Sequence, residues 1–585
     1  MNMGYFNKNK LGELRPNQVI STFGPGAIVD AVKDSVTVLD INYWKERGIK
    51  ISDSRLASYL NVDGFYMPNT QGDKDIPVVS FPYMHVCSKC GRIFDIRENF
   101  NENRYLQYGA TCPYCGWQAY PSRFISICKD GHMDDFPWRW WVHNGDTNCR
   151  GILKITSSGN SSSLGDMWVK CSCGAKRSMQ GAMEKKNFAG CTCSGHHPFR
   201  LHSRNQKCTN DISPSQRGAS NVYFAVNRSA ISIPPWINPL YNLIDEHLRD
   251  IELAESLMGN EGITKIYQMY FTKFSRNEFD DALKRRRENI SEFKEIKKME
   301  YEAITHHDDP LYQSQQSHFK AEEDPLSLSM QKYFSRIIRI TRLREVRVLL
   351  GFTRLDAADP DAEVDNQANI VYLTKGSTDR WLPASEINGE GIFIEFNKET
   401  LNNWLNNPEV QIMSKLYQEN YKKFCEKKGW KIATPRDATY VLMHTLSHLL
   451  IKQMSMSSGY SSAAIRERIY FGDLMNAILL YTGSADKEGS LGGLVELGTE
   501  AKIIDMLRDA FLEALLCTND PECMNNMPND DSSNGAACHS CCMISETACE
   551  NGNRMLDRGF IVPVGDRDNQ AYFKDLVADL CQLEI

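Results

Sequence analysis

"GAACHSCCMISETACENGNRMLDR" (residues 535–558) carries four cysteines, Cys538, Cys541, Cys542 and Cys549, within twelve positions. A reactive thiol, a disulfide knot and a metal clamp compete as readings. A nucleophile needs a lowered pKa and a base close in space, and His539, adjacent in sequence, does not by itself supply one. Disulfides do not persist in reducing compartments. The chain reads as cytoplasmic: "MNMGYFNKNKLGELRPNQ" has no apolar signal core, and no apolar run reaches the roughly eighteen residues of a membrane span. A metal clamp is therefore expected. Cys517 and Cys523 form one pair and the CxxC of "CHSC" forms another, so Cys517, Cys523, Cys538 and Cys541 are the expected ligands. Cys549 is the alternate, and Cys542 a bystander.

Of the 19 cysteines, most others fall between 87 and 208. "CSKC" (87–90) and "CPYC" (112–115) form a CxxC pair, each followed by glycine. Two thiolates per tight turn give the tetrahedral all-sulfur set that suits zinc, and a closed four-cysteine set is structural rather than hydrolytic. Cys87, Cys90, Cys112 and Cys115 are thus expected to form a zinc ribbon. A second set is expected from Cys171, Cys173, Cys193 and Cys208, with Cys191 as a substitute. Between them, Cys128, His132, His143 and Cys149 offer a third set, but a Trp-rich packed connector is the preferred reading. Two to three structural zinc ions are expected in all. Asp134 and Asp135 are read as capping the turn before Pro137.

His444 and His448 stand four apart on a helical pattern, separated by "TLS". The Glu that H-E-x-x-H chemistry requires is missing, so they are read as packing residues. Thr434, Pro435 and Asp437 signal the start of that helix, and Met443, Leu446, Leu450 and Met454 share one face. No P-loop and no strand-linked G-x-G-x-x-G occurs. Net charge is −7, so nucleic-acid contact must come from local patches. Arg336, Arg339, Arg342, Arg344, Arg347 and Arg354 form one candidate, able to face a phosphate backbone or to form ion pairs with a partner protein.

These patterns define an α+β multidomain chain. Its expected segments are a mixed strand and loop region (1–80), a cysteine-rich zinc-ribbon region (81–217), and a helical region with an exposed linker near 305–327 (218–330). An α/β region (331–420) and a C-terminal zinc-binding domain (421–585) follow. Residues 401–516 read as mainly helical.

Several stretches resemble the DrmB family of the DISARM bacterial anti-phage defence system. They are "LRPNQVISTFGPGAIVD" (14–30), "GASNVYFAVNRSAISIPPW" (218–236), "LREVRVLLGFTRL" (343–355), "WLPASEINGEGIFIEF" (381–396), "HTLSHLLIKQMSMSSGYSSAAIRERIY" (444–470), "AILLYTGSADKEGSLGGLV" (477–495) and 535–558. The C-terminal third is similar to the cysteine-rich zinc-binding domain of MrfA-type helicases. The resemblance implies a non-enzymatic partner of a DrmA-type superfamily 2 helicase, acting on phage DNA, with ATP hydrolysis in the helicase. Two departures stand out: Ser458 replaces a cysteine before "GYS", and one serine separates Cys171 from Cys173 where the family commonly has CxxC. The alternatives are a metal-dependent nuclease or hydrolase using His444, His448, Asp134 and Asp135, and a stand-alone nucleic-acid-binding protein.

Overall fold

The "RIIRITRLREVRVLLGFT" run forms a single strand of 20 residues, Phe334–Thr353. Its β-branched residues favour a pleated surface, and register shifts at Phe334/Arg336 and Ile340/Leu343 bend it. In this computed structural model, residues 12–582 are described except 32–33, 70–75, 99–104, 106–108, 158–162, 202–204, 289, 314–317, 360–368, 374–379, 431–434, 473, 485–492 and 530–532.

A nine-stranded sheet organises the fold. Its strands are β1 (Ile49–Ile51), β2 (Gly64–Met67), β3 (Phe224–Ile231), β4 (Lys320–Glu323), β5 (Phe334–Thr353), β6 (Val371–Tyr372), β7 (Trp381–Phe396), β8 (Ile465–Gly472) and β9 (Met475–Ser484). The spine runs β3-β5-β7-β9-β8; β4 and β6 pair with β5, and β2 pairs with β1 and, in parallel, with β7. Four of the five expected segments thus contribute strands. Two readings are corrected here. The stretch 305–327, expected as a linker, contains β4, and residues 465–484, inside a region expected to be mainly helical, form the β8–β9 hairpin.

Both faces of the spine are covered. Ile392, Ile394, Ile478 and Leu480 join the core built with the C-terminal helices, while Phe393, Leu479 and Tyr481 point the other way, towards Ala303 and Ile304. That two-sided burial explains continuous apolar runs such as "AILLY", since successive side chains alternate faces. The helices on the first face are α1 (Lys398–Leu405), α2 (Pro408–Lys428), α3 (Ala438–Ser458), α4 (Glu500–Leu515) and α5 (Lys574–Cys581). Asp437 caps α3, accepting from Thr439 N at 2.8 Å; Thr434, the expected cap, lies outside the described residues. Met443, Leu446, Leu450 and Met454 are buried, but so are His444, Thr445, Ser447 and His448 on other faces. A helix buried all round presents no polar stripe to water, so its histidines must find partners inside.

The cysteine-rich region is built from three small three-stranded sheets (Met84–Cys87, Ile93–Asp95, Ala119–Pro121; Phe124–Ile127, Met133–Asp135, Ser213–Gln216; Leu153–Ser157, Met167–Cys171, Lys176–Ser178). Asp134 and Asp135 sit on one of these strands rather than capping a turn. Asp135 accepts from Met84 N at 2.9 Å and Asp134 from Ser194 Oγ at 2.7 Å. Among the described residues no helix is long and apolar enough to cross a membrane.

Candidate metal centres

Each CxxC turn brings its sulfurs together through its own backbone. Gly91 and Gly116 take positive φ, 66° and 70°, a conformation that costs glycine little. They let the chain reverse so that Cys90 N donates to Cys87 Sγ at 3.4 Å. Cys87 and Cys115 Sγ are 3.5 Å apart, and Cys90 and Cys112 Sγ 3.9 Å. All four sulfurs lie within 4.8 Å of one another. Burial pushes the Cys87 thiol up, but the amides of Cys90 and Lys89 outweigh it and hold it at about 7.

The other expected set in this region is split. Cys171 and Cys173 join His143 and Cys149, whereas Cys193 and Cys208 join Cys128 and His132. Both histidines, for which a Trp-rich packed connector is the preferred reading from sequence, take part. His143 Nδ1 faces the Arg139 carbonyl at 2.9 Å and must donate to it, which leaves Nε2 as an acceptor 3.3 Å from Cys173 Sγ. His132 shows the converse arrangement: Nε2 donates to Gln206 Oε1 at 3.1 Å and Nδ1 stands 3.2 Å from Cys128 Sγ. A ring whose far nitrogen is anchored to an oxygen while the near one faces thiols is oriented as a metal-ligating histidine is. The Cys193 thiol, chief among several hydrogen bonds to Cys128, holds it down at about 4. Gly151 N donates to Cys149 Sγ at 3.3 Å and Gly195 N to Cys193 Sγ at 3.4 Å. Cys191 is buried nearby but belongs to neither group.

At the C-terminus Cys517, Cys523, Cys538 and Cys541 converge. Cys517 Sγ is 3.5 Å from Cys538 Sγ, and Cys541 Sγ is 3.7 Å from both Cys523 and Cys538 Sγ. Cys542 is fully buried and donates to Cys541, which holds the Cys541 thiol at about 5. Cys549 lies elsewhere, with His444, His448 and Glu467. Ser458, in place of a cysteine, bonds back to the Met454 carbonyl at 2.6 Å and joins no group.

The arginine row does not form an open basic face. Arg336 pairs with Glu395 (2.9 Å), Arg339 with Asp324 (2.9 Å), Arg344 with Glu386 (2.8 Å) and Arg347 with buried Glu345 (3.1 Å). Arg354 is buried and donates to the carbonyls of Gly26 and Gly131, both at 2.9 Å, and of Val222. Arg342 is exposed.

A different cationic surface lies on the zinc-ribbon side, where sequence reasoning marked only the ligands. Lys154 and Lys170 are directly opposed across two strands, and Arg92 bridges to Lys154 on the other side. They line a cleft of about 400 Å³ with Cys90, Tyr114, Cys115, Ile152, Cys171 and Ser172, and this lining includes no acid. The Arg92 guanidinium lies 3.3 Å over the Tyr114 ring and Lys89 4.7 Å over Trp117, both rings being exposed. Only the pairing of two strands and an isolated bridge at Arg92 assembles this row, so no local motif announces it.

The fold and its donor groups define a protein with cysteine-rich groups arranged to hold metal ions. Residues 446–542 match the model of the MrfA Zn-binding domain, and residues 15–224 match a domain of unknown function, DUF8724. The chain is 42% identical over 567 residues to DISARM protein DrmB of Bacillus paralicheniformis, covering 94% of this chain and all of that protein. The chain belongs to the DrmB family.

Proposed function

We propose that this chain is the non-catalytic, zinc-holding partner of a DrmA-type superfamily 2 helicase in cytoplasmic DISARM defence, and that it helps the complex engage DNA. The observation that carries the DNA part is the Arg92–Lys154–Lys170 row. Like charges directly opposed across strands are destabilising, and no acid in the cleft lining offsets these. A phosphate backbone supplies the missing charge, while Tyr114 and Trp117 offer faces on which unpaired bases stack. The arginines of β5 are engaged within the protein, so they support structure in this reading. The ligand sets proposed for zinc are Cys87/Cys90/Cys112/Cys115, Cys128/His132/Cys193/Cys208, His143/Cys149/Cys171/Cys173 and Cys517/Cys523/Cys538/Cys541. Each supplies four protein donors, leaving no position for a reacting water.

Co-expression with a DrmA-type helicase tests the reading. The expected result is a complex that co-elutes and whose ATPase responds to single-stranded DNA. The double variant Lys154→Glu/Lys170→Glu should keep the complex but weaken its salt-sensitive DNA response about tenfold or more. Proteins that neither co-elute nor change each other's activity would refute the partnership; an unchanged DNA response in the variant would refute the cleft.

A further inference from the structure

His444, His448, Glu467 and Cys549 come from three places in the fold: two from buried helix α3, one from strand β8, and one from the loop after the C-terminal knuckle. His444, His448 and Glu467 are fully buried and Cys549 partly so. One donor atom from each lies within 4.8 Å of all the others. We propose that these four residues hold a divalent transition-metal ion, a second metal centre in the C-terminal domain beside the four-cysteine knuckle.

The tautomer of His448 carries the inference. Its Nδ1 lies 2.9 Å from the Cys542 carbonyl, and a carbonyl only accepts, so the ring proton sits on Nδ1. In the neutral ring Nε2 is then a bare lone pair. It has no hydrogen-bond partner, yet it points at Glu467 Oε1, 3.4 Å away. His444 Nε2 stands 3.0 Å from the same oxygen and 3.2 Å from Cys549 Sγ. Glu467 already accepts from Ser447 Oγ and from Glu550 N. His444 Nε2–H can donate to Glu467, but the His448 lone pair, the Glu467 carboxylate and the Cys549 sulfur still turn electron-rich atoms on one buried point, the arrangement a cation satisfies.

The sulfur gives an independent sign. Asn551 N and Asn553 N both donate to Cys549 Sγ, at 3.3 and 3.2 Å. The same amide-to-sulfur contacts occur at Cys87, Cys149, Cys193 and Cys541 in the cysteine-rich groups. Two neutral imidazoles, one carboxylate and one thiolate balance the charge of a dication, so the filled site would bury no net charge. Nitrogen, oxygen and sulfur donors in a closed set of four match the ligand preferences of zinc. His444 and Cys549 both lie outside the span that matches the MrfA Zn-binding domain.

Anomalous diffraction recorded above and below the zinc edge, on crystals of the full chain purified without chelator, decides the question. The expected map has a peak within about 2.4 Å of all four donor atoms. A map with no peak there overturns the proposal, whatever the cysteine-rich groups show. Metal counting gives a second readout: a Cys549→Ala chain that keeps its circular dichroism should hold about one metal equivalent fewer than the wild type, and an unchanged count refutes the site. Neither measurement involves DNA or a helicase, so the outcome is separate from that of the proposed function.

Discussion

His448 Nδ1 donates to the main-chain carbonyl of Cys542, and Lys452, one turn further along α3, donates to the carbonyl of Cys541 at 2.8 Å. The buried helix therefore grips two successive carbonyls of the C-terminal knuckle. The knuckle is positioned by α3 as well as by its own sulfurs, and this joins the metal-binding end of the chain to the sheet on which α3 packs.

Separation of the two middle donor groups makes a countable prediction. The double variant Cys173→Ser/Cys193→Ser should lose two metal equivalents in mass-spectrometric metal analysis. Loss of a single equivalent would mean that the two cysteines serve one site.

Gly151 sits against the sulfurs: a Cβ there would meet Cys171 Sγ at 2.4 Å and Cys149 Sγ at 3.3 Å. Gly151→Ala should therefore displace ligands without removing any. We expect loss of about one metal equivalent and a lower unfolding temperature, read by metal analysis and thermal melts. Gly218→Ala is the control, since its Cβ would meet nothing within 4 Å and its backbone is not in the left-handed region.

Glu345 is fully buried. Burial pushes its carboxyl up, but Arg347 and Arg466 outweigh this and hold it at about 2. Its folded pKa lies below its ordinary value of 4.5, so its stabilisation is complete above that value and fades as pH falls through about 2. Glu345→Gln should destabilise the protein at pH 7 by roughly 3 kcal/mol, because it leaves the half-buried guanidinium groups of Arg347 and Arg466 without their counter-charge. Chemical denaturation of both chains from pH 7 to pH 2.5 should show the difference shrinking. A constant difference would contradict the assignment.

Arg354 joins three segments that are distant in sequence, through the carbonyls of Gly26, Gly131 and Val222. Arg354→Met strands three buried acceptors, each costing about 1–3 kcal/mol, and should reduce the yield of folded protein or lower its melting point by ten degrees or more. Exposed Arg342→Ala should leave the melt within about one degree of wild type. Equal effects would undo the distinction between buried Arg354 and exposed Arg342.

The closely spaced features were legible in the sequence. CxxC turns create their own geometry, so the ribbon cysteines could be grouped by spacing, whereas the C-terminal set groups around the Cys538–Cys541 turn with Cys549 as an alternate. What escaped was set by tertiary register. Cys171 and Cys193 looked like one cluster because they are near in sequence, but the strands route them to different partners. His444 and His448 read as packing residues because their third and fourth partners, Glu467 and Cys549, lie on a strand and a loop with no recognisable spacing. The arginines of β5 looked like a phosphate track because their acids, Glu395, Asp324, Glu386 and Glu345, lie mostly on neighbouring strands or loops.

The order of donors along the chain has a further consequence. Cys128 and His132 open one group and Cys193 and Cys208 close it, while the whole of His143/Cys149/Cys171/Cys173 lies between. One metal loop is thus nested inside another. Closing the inner loop first shortens the span the outer one must bridge, which lowers its entropy cost, so the assembly of this region has a preferred direction. Under limiting metal, pulse alkylation should find Cys149, Cys171 and Cys173 protected before Cys128, Cys193 and Cys208. A chain starved of zinc would then stall with its inner loop closed and its outer loop open.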